Sequence, residues 1–126
     1  MRGTVLLLNS DRTMAVDAEL LRASGLMVHG ADELAEAVER LQHVSPDVIV
    51  AVLPAEGSAS AVARLRGAAD PAISLIVATA PAERAAVRQA GADSFYDRSA
   101  APANLLYEIH RALILRRSGR RLPWNG

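Results

Sequence analysis

Hydrophobic positions follow two different periods, which alternate along the chain. Continuous apolar runs lie at 4–8, 47–53 and 72–78, and short unbroken runs of this kind are typical of strands buried on both faces. Between the first two runs, Leu34, Val38 and Leu41 recur at helical spacing. The pattern predicts buried strands that alternate with amphipathic helices.

The complete pattern contains five strands and five helices. Glycines at 25 and 91 follow predicted helix ends, and Pro81 precedes a helix start, which is the usual asymmetry of these two residues. The strands are predicted at 4–8, 26–30, 47–53, 72–78 and 93–97. The helices are predicted from the capping residues 9–11 to about 24, and at 33–44, 58–67, 82–90 and 102–117.

Strands that alternate with helices imply right-handed crossovers and a parallel sheet covered on both faces. We therefore predict an α/β fold with a five-stranded parallel sheet. A chain of 126 residues suits a single domain, here expected at 1–117. Residues 118–126 have no periodicity and are expected to form a basic, solvated tail or a truncated linker. An arm that docks a partner through Trp124 is the alternative.

Composition excludes several classes of protein. The chain has no Cys, so it has no disulfide framework, thiolate zinc site or cysteine nucleophile. No apolar run approaches the roughly 20 residues that span a bilayer, and the first apolar run is too short for a signal peptide. We expect a soluble, cytoplasmic protein that makes no membrane contact.

The charges balance, with 14 basic and 14 acidic residues, but they are unevenly placed. All the basic residues are Arg, and four of them, at 116, 117, 120 and 121, lie near the C-terminus, around the start of the tail. The remaining body is mildly acidic, which argues against nucleic-acid binding by this domain. No phosphate-binding glycine motif or nucleophile elbow is present, so we expect no enzyme.

The order of elements and several short motifs resemble the receiver domain of two-component response regulators. The matching motifs are SPDVIV at the third strand, IVATA at the fourth, and QAGADSFYDRSAAPANLLYEI through the last helix. The resemblance covers about residues 4–117. It implies the flavodoxin-like strand order 2-1-3-4-5.

The resemblance also implies a phosphorylation pocket at the carboxyl ends of the strands. Receivers carry an acidic pair that holds Mg²⁺, an acceptor Asp, a Thr or Ser, and a Lys, which together offset charge on the transferred phosphoryl group. In this chain the acidic pair falls on Asn9 and Ser10, with Asp11 following. The acceptor position is Val52, the hydroxyl position is Thr79 and the Lys position is Arg98.

These substitutions predict a pocket without an acceptor or a metal charge, and two of the flanking loops are shorter than is usual in the family. We therefore expect a degenerate receiver, or pseudo-receiver, that binds no Mg²⁺ and needs no other cofactor. In the family, an aromatic residue on the fifth strand, here Phe95, moves with the hydroxyl of Thr79. A relic switch is one interpretation of this pair; simple packing of Phe95 and turn capping by Thr79 is the other.

Three functions follow as hypotheses. The first is a signalling module that acts through protein contacts, with a partner or a homodimer bound by helix 82–90, strand 93–97 and helix 102–117. Its predicted switch and interface residues are Arg84, Arg88, Phe95, Tyr96, Glu108 and Arg111. The second is a small-molecule sensor that holds an anionic ligand near Arg98. The third is phosphoryl acceptance elsewhere in the pocket, on Asp11.

Overall fold

The computed structural model of the chain describes residues 2–10, 15–97 and 102–124. Five parallel strands form one sheet in the order β2-β1-β3-β4-β5, so the predicted fold class and strand order are confirmed. The strands are β1 (Thr4–Asn9), β2 (Met27–Ala31), β3 (Val48–Val52), β4 (Ser74–Ala78) and β5 (Ser94–Phe95).

Five helices connect the strands in the described part of the chain. They are α1 (Ala15–Ala23), α2 (Leu34–Arg40), α3 (Ser58–Ala68), α4 (Arg84–Ala90) and α5 (Pro102–Arg117), and a 3₁₀ turn at Pro81–Glu83 precedes α4. Within the described residues, no helix has both the length and the hydropathy that a bilayer crossing would need.

Three predicted elements have the wrong limits. Strand 93–97 is reduced to Ser94–Phe95, because β5 is an edge strand that pairs with β4 on one side only. Helix 82–90 opens with a tighter 3₁₀ turn, in which the Glu83 N–H donates to the Ala80 carbonyl at 2.9 Å. Helix 33–44 stops at Arg40, and its continuation forms successive turns.

Two hydrophobic layers cover the sheet, one on each face. Alternate residues of β3 point to opposite layers, as the period of a strand requires. Val48, Val50 and Val52 join α1 and α5 in one layer, whereas Ile49 and Ala51 join α2, α3 and α4 in the other. All five residues of β3 are buried, which explains why its sequence is an unbroken apolar run.

Gly91 is required where α4 turns into β5. Its φ is +122°, and a Cβ at this position would lie 2.7 Å from Cγ of Arg66. Gly57 also has a positive φ, of +79°, but its Cβ would meet nothing within 4 Å. Both glycines have backbone conformations that L residues rarely adopt, and of the two only Gly91 also has a close neighbour.

We expect Gly57→Ala to lower the free energy of unfolding by about 1–2 kcal/mol, through backbone strain alone. Gly91→Ala should lower it by a further 1–3 kcal/mol or so, because the new methyl group also overpacks against Arg66. Urea denaturation of both variants measures the difference. Equal losses would contradict the close contact at Gly91.

Candidate functional site

The carboxyl ends of the three central strands, β1, β3 and β4, lie side by side. We call the residues at these ends the strand-end row. Asn9, Val52 and Ala78 are partners in the registers of β1 with β3 and of β3 with β4. Backbone bonds continue past this row, since the N–H of Ser10 donates to the Val52 carbonyl at 3.3 Å and that of Leu53 to the Ala78 carbonyl at 2.9 Å. The row is the place in an open parallel sheet where ligands usually bind.

Val52 lies at the centre of this row, and its side chain is part of the core. The residue is 1% exposed and belongs to the hydrophobic layer that contains Tyr96 and Leu105. A valine offers neither a nucleophile nor a charge. The centre of the row is therefore chemically inert.

The described residues beside Val52 do not fit a magnesium ion. Mg²⁺ is held in proteins through carboxylates, but Asn9, which is half-buried, and Ser10, which is exposed, offer neutral side-chain oxygens. Asp32 follows β2 nearby; it is exposed and begins the approach to α2, where its N–H donates to Oε1 of Glu36 at 3.2 Å. The described residues contain no cluster of three His, Asp or Glu side chains placed to hold a metal.

Two of the predicted pocket residues, Asp11 and Arg98, lie outside the described residues. Their predicted roles remain predictions.

Thr79 follows β4 directly and borders the row. Its residue is half-buried, and its Oγ1 atom is buried without a hydrogen-bond partner among the described residues. The interpretation of Thr79 as a turn cap is therefore wrong. An unsatisfied buried hydroxyl costs about 1–3 kcal/mol, and such groups call for an explanation.

The two aromatic residues predicted on the interface are mostly buried. Phe95 is 8% exposed in one core layer and Tyr96 is 6% exposed in the other. The Arg84 guanidinium lies 4.7 Å above the centre of the Phe95 ring, within cation–π range. Both rings are therefore largely covered by the domain itself, and their predicted role at an interface stays a prediction.

Two of the predicted interface charges are paired inside the domain. Arg111 Nη1 lies 3.1 Å from Oε1 of Glu108, one turn away on α5. The hydroxyl of Ser94 also lies 3.4 Å from Oε2 of Glu108. The contact between Ser94 and Glu108 joins α5 to β5, whereas the pair of Arg111 and Glu108 lies within α5.

The outer face of α5 carries exposed apolar side chains. Tyr107 is 61% exposed and Ile114 is 51% exposed, and Ala103 and His110 are exposed beside them. These four residues are spaced 4, 3 and 4 apart, which places them on one face of a helix. We call this set the α5 stripe.

A partly buried ion cluster lies near the amino-terminal ends of β4 and β5, away from the strand-end row. The sequence pattern did not predict this cluster. Asp93 directly precedes β5, and its Oδ2 accepts from the Leu75 N–H at 2.9 Å and from Arg66 Nη1 at 3.0 Å. Its Oδ1 lies 3.4 Å from Nε of Arg121. Arg66 also donates through Nη2 to the Ile73 carbonyl at 2.6 Å. The cluster joins α3, β4, β5 and the chain after α5.

Burial dominates the electrostatics of this cluster. Desolvation raises the pKa of the Asp93 carboxyl, although the Leu75 N–H and the two guanidinium groups act in the other direction. Desolvation also lowers the pKa of Arg66, although Asp93 opposes that change. The ion pair therefore compensates for burial only in part, as is usual for buried pairs.

The tail is not fully solvated, and that prediction is wrong for Leu122 and Trp124. Leu122 is 4% exposed, and its N–H donates to Oγ of Ser74 at 2.9 Å. Trp124 packs against the layer that contains α4, with the Arg88 guanidinium 5.4 Å from its ring centre. We call residues 118–124 the tail arm. Hydrogen bonds and burial hold the tail arm against the domain. The sequence pattern did not predict this contact, because it shows only the periodicity of apolar residues.

No family model matches the chain, and no curated protein matches it. Solved structures do match. A CheY-like response regulator receiver domain from Methanospirillum hungatei superposes with a TM-score of 0.82 at 17% identity, over 94% of this chain and 98% of that chain. A LuxR-family two-component response regulator from Aurantimonas matches at 25% identity with a TM-score of 0.75, over 97% and 89% of the two chains.

A third match is the receiver domain of a sensor histidine kinase from Pseudomonas aeruginosa, with a magnesium ion in its active-site cleft. It is 22% identical with a TM-score of 0.75, over 90% of this chain and 98% of that chain. These likenesses show that the chain has the receiver fold of two-component response regulators.

Proposed function

We propose that this chain is a receiver-like signal-transduction module that acts through protein contacts and accepts no phosphoryl group at the end of β3. The observation that carries the proposal is Val52, a 1% exposed valine at the centre of the strand-end row. A phosphoryl acceptor must be a nucleophile that the phosphoryl donor can reach. The side chain of Val52 is buried and contains no nucleophilic atom.

The rim of the row supports the same conclusion. Phosphoryl transfer depends on positioned positive charge, which offsets the charge that develops on the equatorial oxygens. Asn9 and Ser10 provide neutral oxygens at the place where the family holds its metal. The proposed module therefore needs neither Mg²⁺ nor any other cofactor, and it is not an enzyme.

Intact-mass spectrometry after incubation with acetyl phosphate and Mg²⁺ tests this proposal, with a phosphorylatable receiver domain treated in parallel. We expect the control to gain a phosphoryl group and this chain to gain none. A stoichiometric gain would overturn the proposal. An Asp11→Asn variant would then show whether Asp11 is the acceptor, because it alone would lose the added mass.

The contact surface is proposed on α4 and α5, as a site for a protein partner or a second copy of the chain. The α5 stripe supports this location, since contiguous exposed apolar side chains mark interaction sites more often than single ones do. Arg84 and Arg88 are exposed on α4 and would provide positive charge on that helix. Exposed ion pairs there would add only about 0–1 kcal/mol each, so the apolar stripe should dominate.

We expect Ile114→Glu to abolish self-association or partner binding, because it replaces one of the two large exposed apolar side chains of the α5 stripe with a charge. Met27→Glu is the matched control: Met27 is 62% exposed but lies on β2, the edge strand opposite β5. Sedimentation velocity of both variants measures self-association, and titration with the acidic peptide described below measures binding of a partner segment. Equal effects of the two variants, or none from Ile114→Glu, would exclude the stripe as the interface.

A second candidate function is a sensor for a small anionic ligand at the strand-end row. The unpartnered, buried hydroxyl of Thr79 favours it, because a bound ligand could satisfy that group. A calorimetric screen of small phosphates and carboxylates tests this candidate. Saturable binding that Thr79→Val removes would support it, and no heat from any of these anions would exclude it.

A further inference from the structure

We propose that the groove between α4 and the ring of Trp124 binds an acidic segment of a partner protein, and that the tail arm supplies one wall of this site. The inference rests on the proposed function, since it names the chemistry of the partner that the α4 surface would contact. It also assigns a role to the tail arm, which the receiver fold itself does not require.

The groove has the size and the lining of a peptide site. Its volume is about 640 Å³, and its lining combines small, aromatic and basic residues. The lining consists of Pro81, Ala82, Arg84, Ala85, Arg88, Gln89 and Trp124. An apolar side chain of a partner can therefore lie between the alanines of α4 and the indole ring.

The charge of the groove selects an acidic occupant. Two of the described lining residues are charged, both are arginines, and none is acidic. Arg84 lies over Phe95 and Arg88 over Trp124. The Arg88 guanidinium stacks on the indole ring by its face and can donate from its edge, which matches a carboxylate.

The tail arm is held in place before any partner binds. Arg121 contacts Asp93, and the Leu122 N–H is bonded to Ser74 inside the core. These anchors lie two and three residues before Trp124, so they fix the backbone that carries the ring. A site whose wall is already ordered loses less conformational entropy on binding.

Trp124 is the only tryptophan in the chain, and its fluorescence therefore reports on the groove directly. The full chain is titrated with a synthetic peptide of alternating glutamate and leucine, and with the same peptide carrying lysine in place of glutamate. We expect a saturable change in emission with the glutamate peptide only. Added salt should weaken it, because the attraction is between exposed charges.

Arg88→Gln should weaken binding of the glutamate peptide about tenfold, as loss of one charge-assisted hydrogen bond does. Arg88→Lys keeps the charge and should weaken it less. Arg64→Gln, an exposed arginine on α3, makes the same change of charge away from the groove and should have no effect. Trp124→Ala, measured by calorimetry, should also weaken binding.

Several results would overturn the proposal. These are no saturable change with the glutamate peptide, equal binding of the lysine peptide, equal losses in Arg88→Gln and Arg64→Gln, or tighter binding of single-stranded DNA than of the peptide. A change in emission with protein concentration alone would assign the groove to a second copy instead. If the peptide does not bind but Ile114→Glu still disrupts association, the groove proposal fails and the proposed function stands. If the chain gains a phosphoryl group, the proposed function fails, whatever the result at the groove.

Discussion

Val52→Asp is expected to lower the free energy of unfolding by about 3–5 kcal/mol, which is the effect of an uncompensated charge in the interior. Val52 is 1% exposed and packs in the layer that contains Tyr96 and Leu105. A carboxylate at position 52 would lose its hydration and would contact methyl and aromatic groups instead. The variant is also expected to accept no phosphoryl group, because the neutral side chains of Asn9 and Ser10 would not hold a metal ion beside the new carboxylate.

The matched control is Val52→Thr, which keeps the shape of valine and adds one hydroxyl group. It should cost about 1–3 kcal/mol, the penalty for an unsatisfied buried hydroxyl. Urea denaturation gives both values, and intact mass after acetyl phosphate treatment gives the phosphorylation result. A Val52→Asp protein as stable as the wild type, and phosphorylated, would show that position 52 opens onto a working pocket.

Asp93→Ala is expected to lower the free energy of unfolding by a similar amount, about 3–5 kcal/mol. It leaves the Leu75 N–H without its acceptor and leaves Arg66, whose side chain is 15% exposed, without its counter-charge. Asp93→Asn retains an oxygen for the Leu75 N–H and should therefore lose less. Arg121→Gln removes only the exposed member of the cluster, and such a pair contributes about 0–1 kcal/mol.

A double-mutant cycle separates the cluster from generic damage. Because Arg66 and Asp93 are buried and in contact, the double variant Arg66→Met, Asp93→Ala should lose less stability than the sum of the two single variants. Removing both charges also removes the desolvation penalty that raises the pKa of Asp93. Additive losses, or an Asp93→Ala variant within 1 kcal/mol or so of the wild type, would contradict this description of the cluster.

The strands buried on both faces were predictable because their sequences consist almost entirely of apolar residues. β1, β3 and β4 are apolar at nearly every position, and a strand covered by helices on both sides allows little else. β5 was harder to delimit. It is an edge strand of two residues, and the polar residues beside it, Asp93 and Asp97, read equally well as strand or loop.

The strand-end row could be placed from sequence, but its chemistry could be judged only in part. The resemblance placed Asn9, Val52 and Thr79 at this edge, and the register confirms that Asn9 and Val52 are neighbours and that Thr79 follows Ala78. The buried, unpartnered hydroxyl of Thr79 depends on tertiary packing, which a single strand pattern does not report.

The ion cluster and the tail arm had almost no signal in the sequence. Asp93 lies within the motif QAGADSFYDRSAAPANLLYEI, and nothing in the spacing of Arg66 or Arg121 connects them to it. Leu122 packs in the layer of α1 and α5, and its N–H donates to Ser74, which lies 48 residues earlier in the chain. Contacts of such high sequence separation arise from the topology, so periodicity cannot predict them.

The central claim is that this receiver fold carries no phosphorylation chemistry at Val52. The most direct measurement is amide NMR during titration with beryllofluoride and Mg²⁺, which together imitate a phosphoryl group only where a carboxylate and a metal site are both present. We expect the signals of Thr79, Phe95 and Leu53 to stay where they are at every concentration. Saturable shifts at these residues would contradict the claim and would show that the chain is a working phosphoryl acceptor.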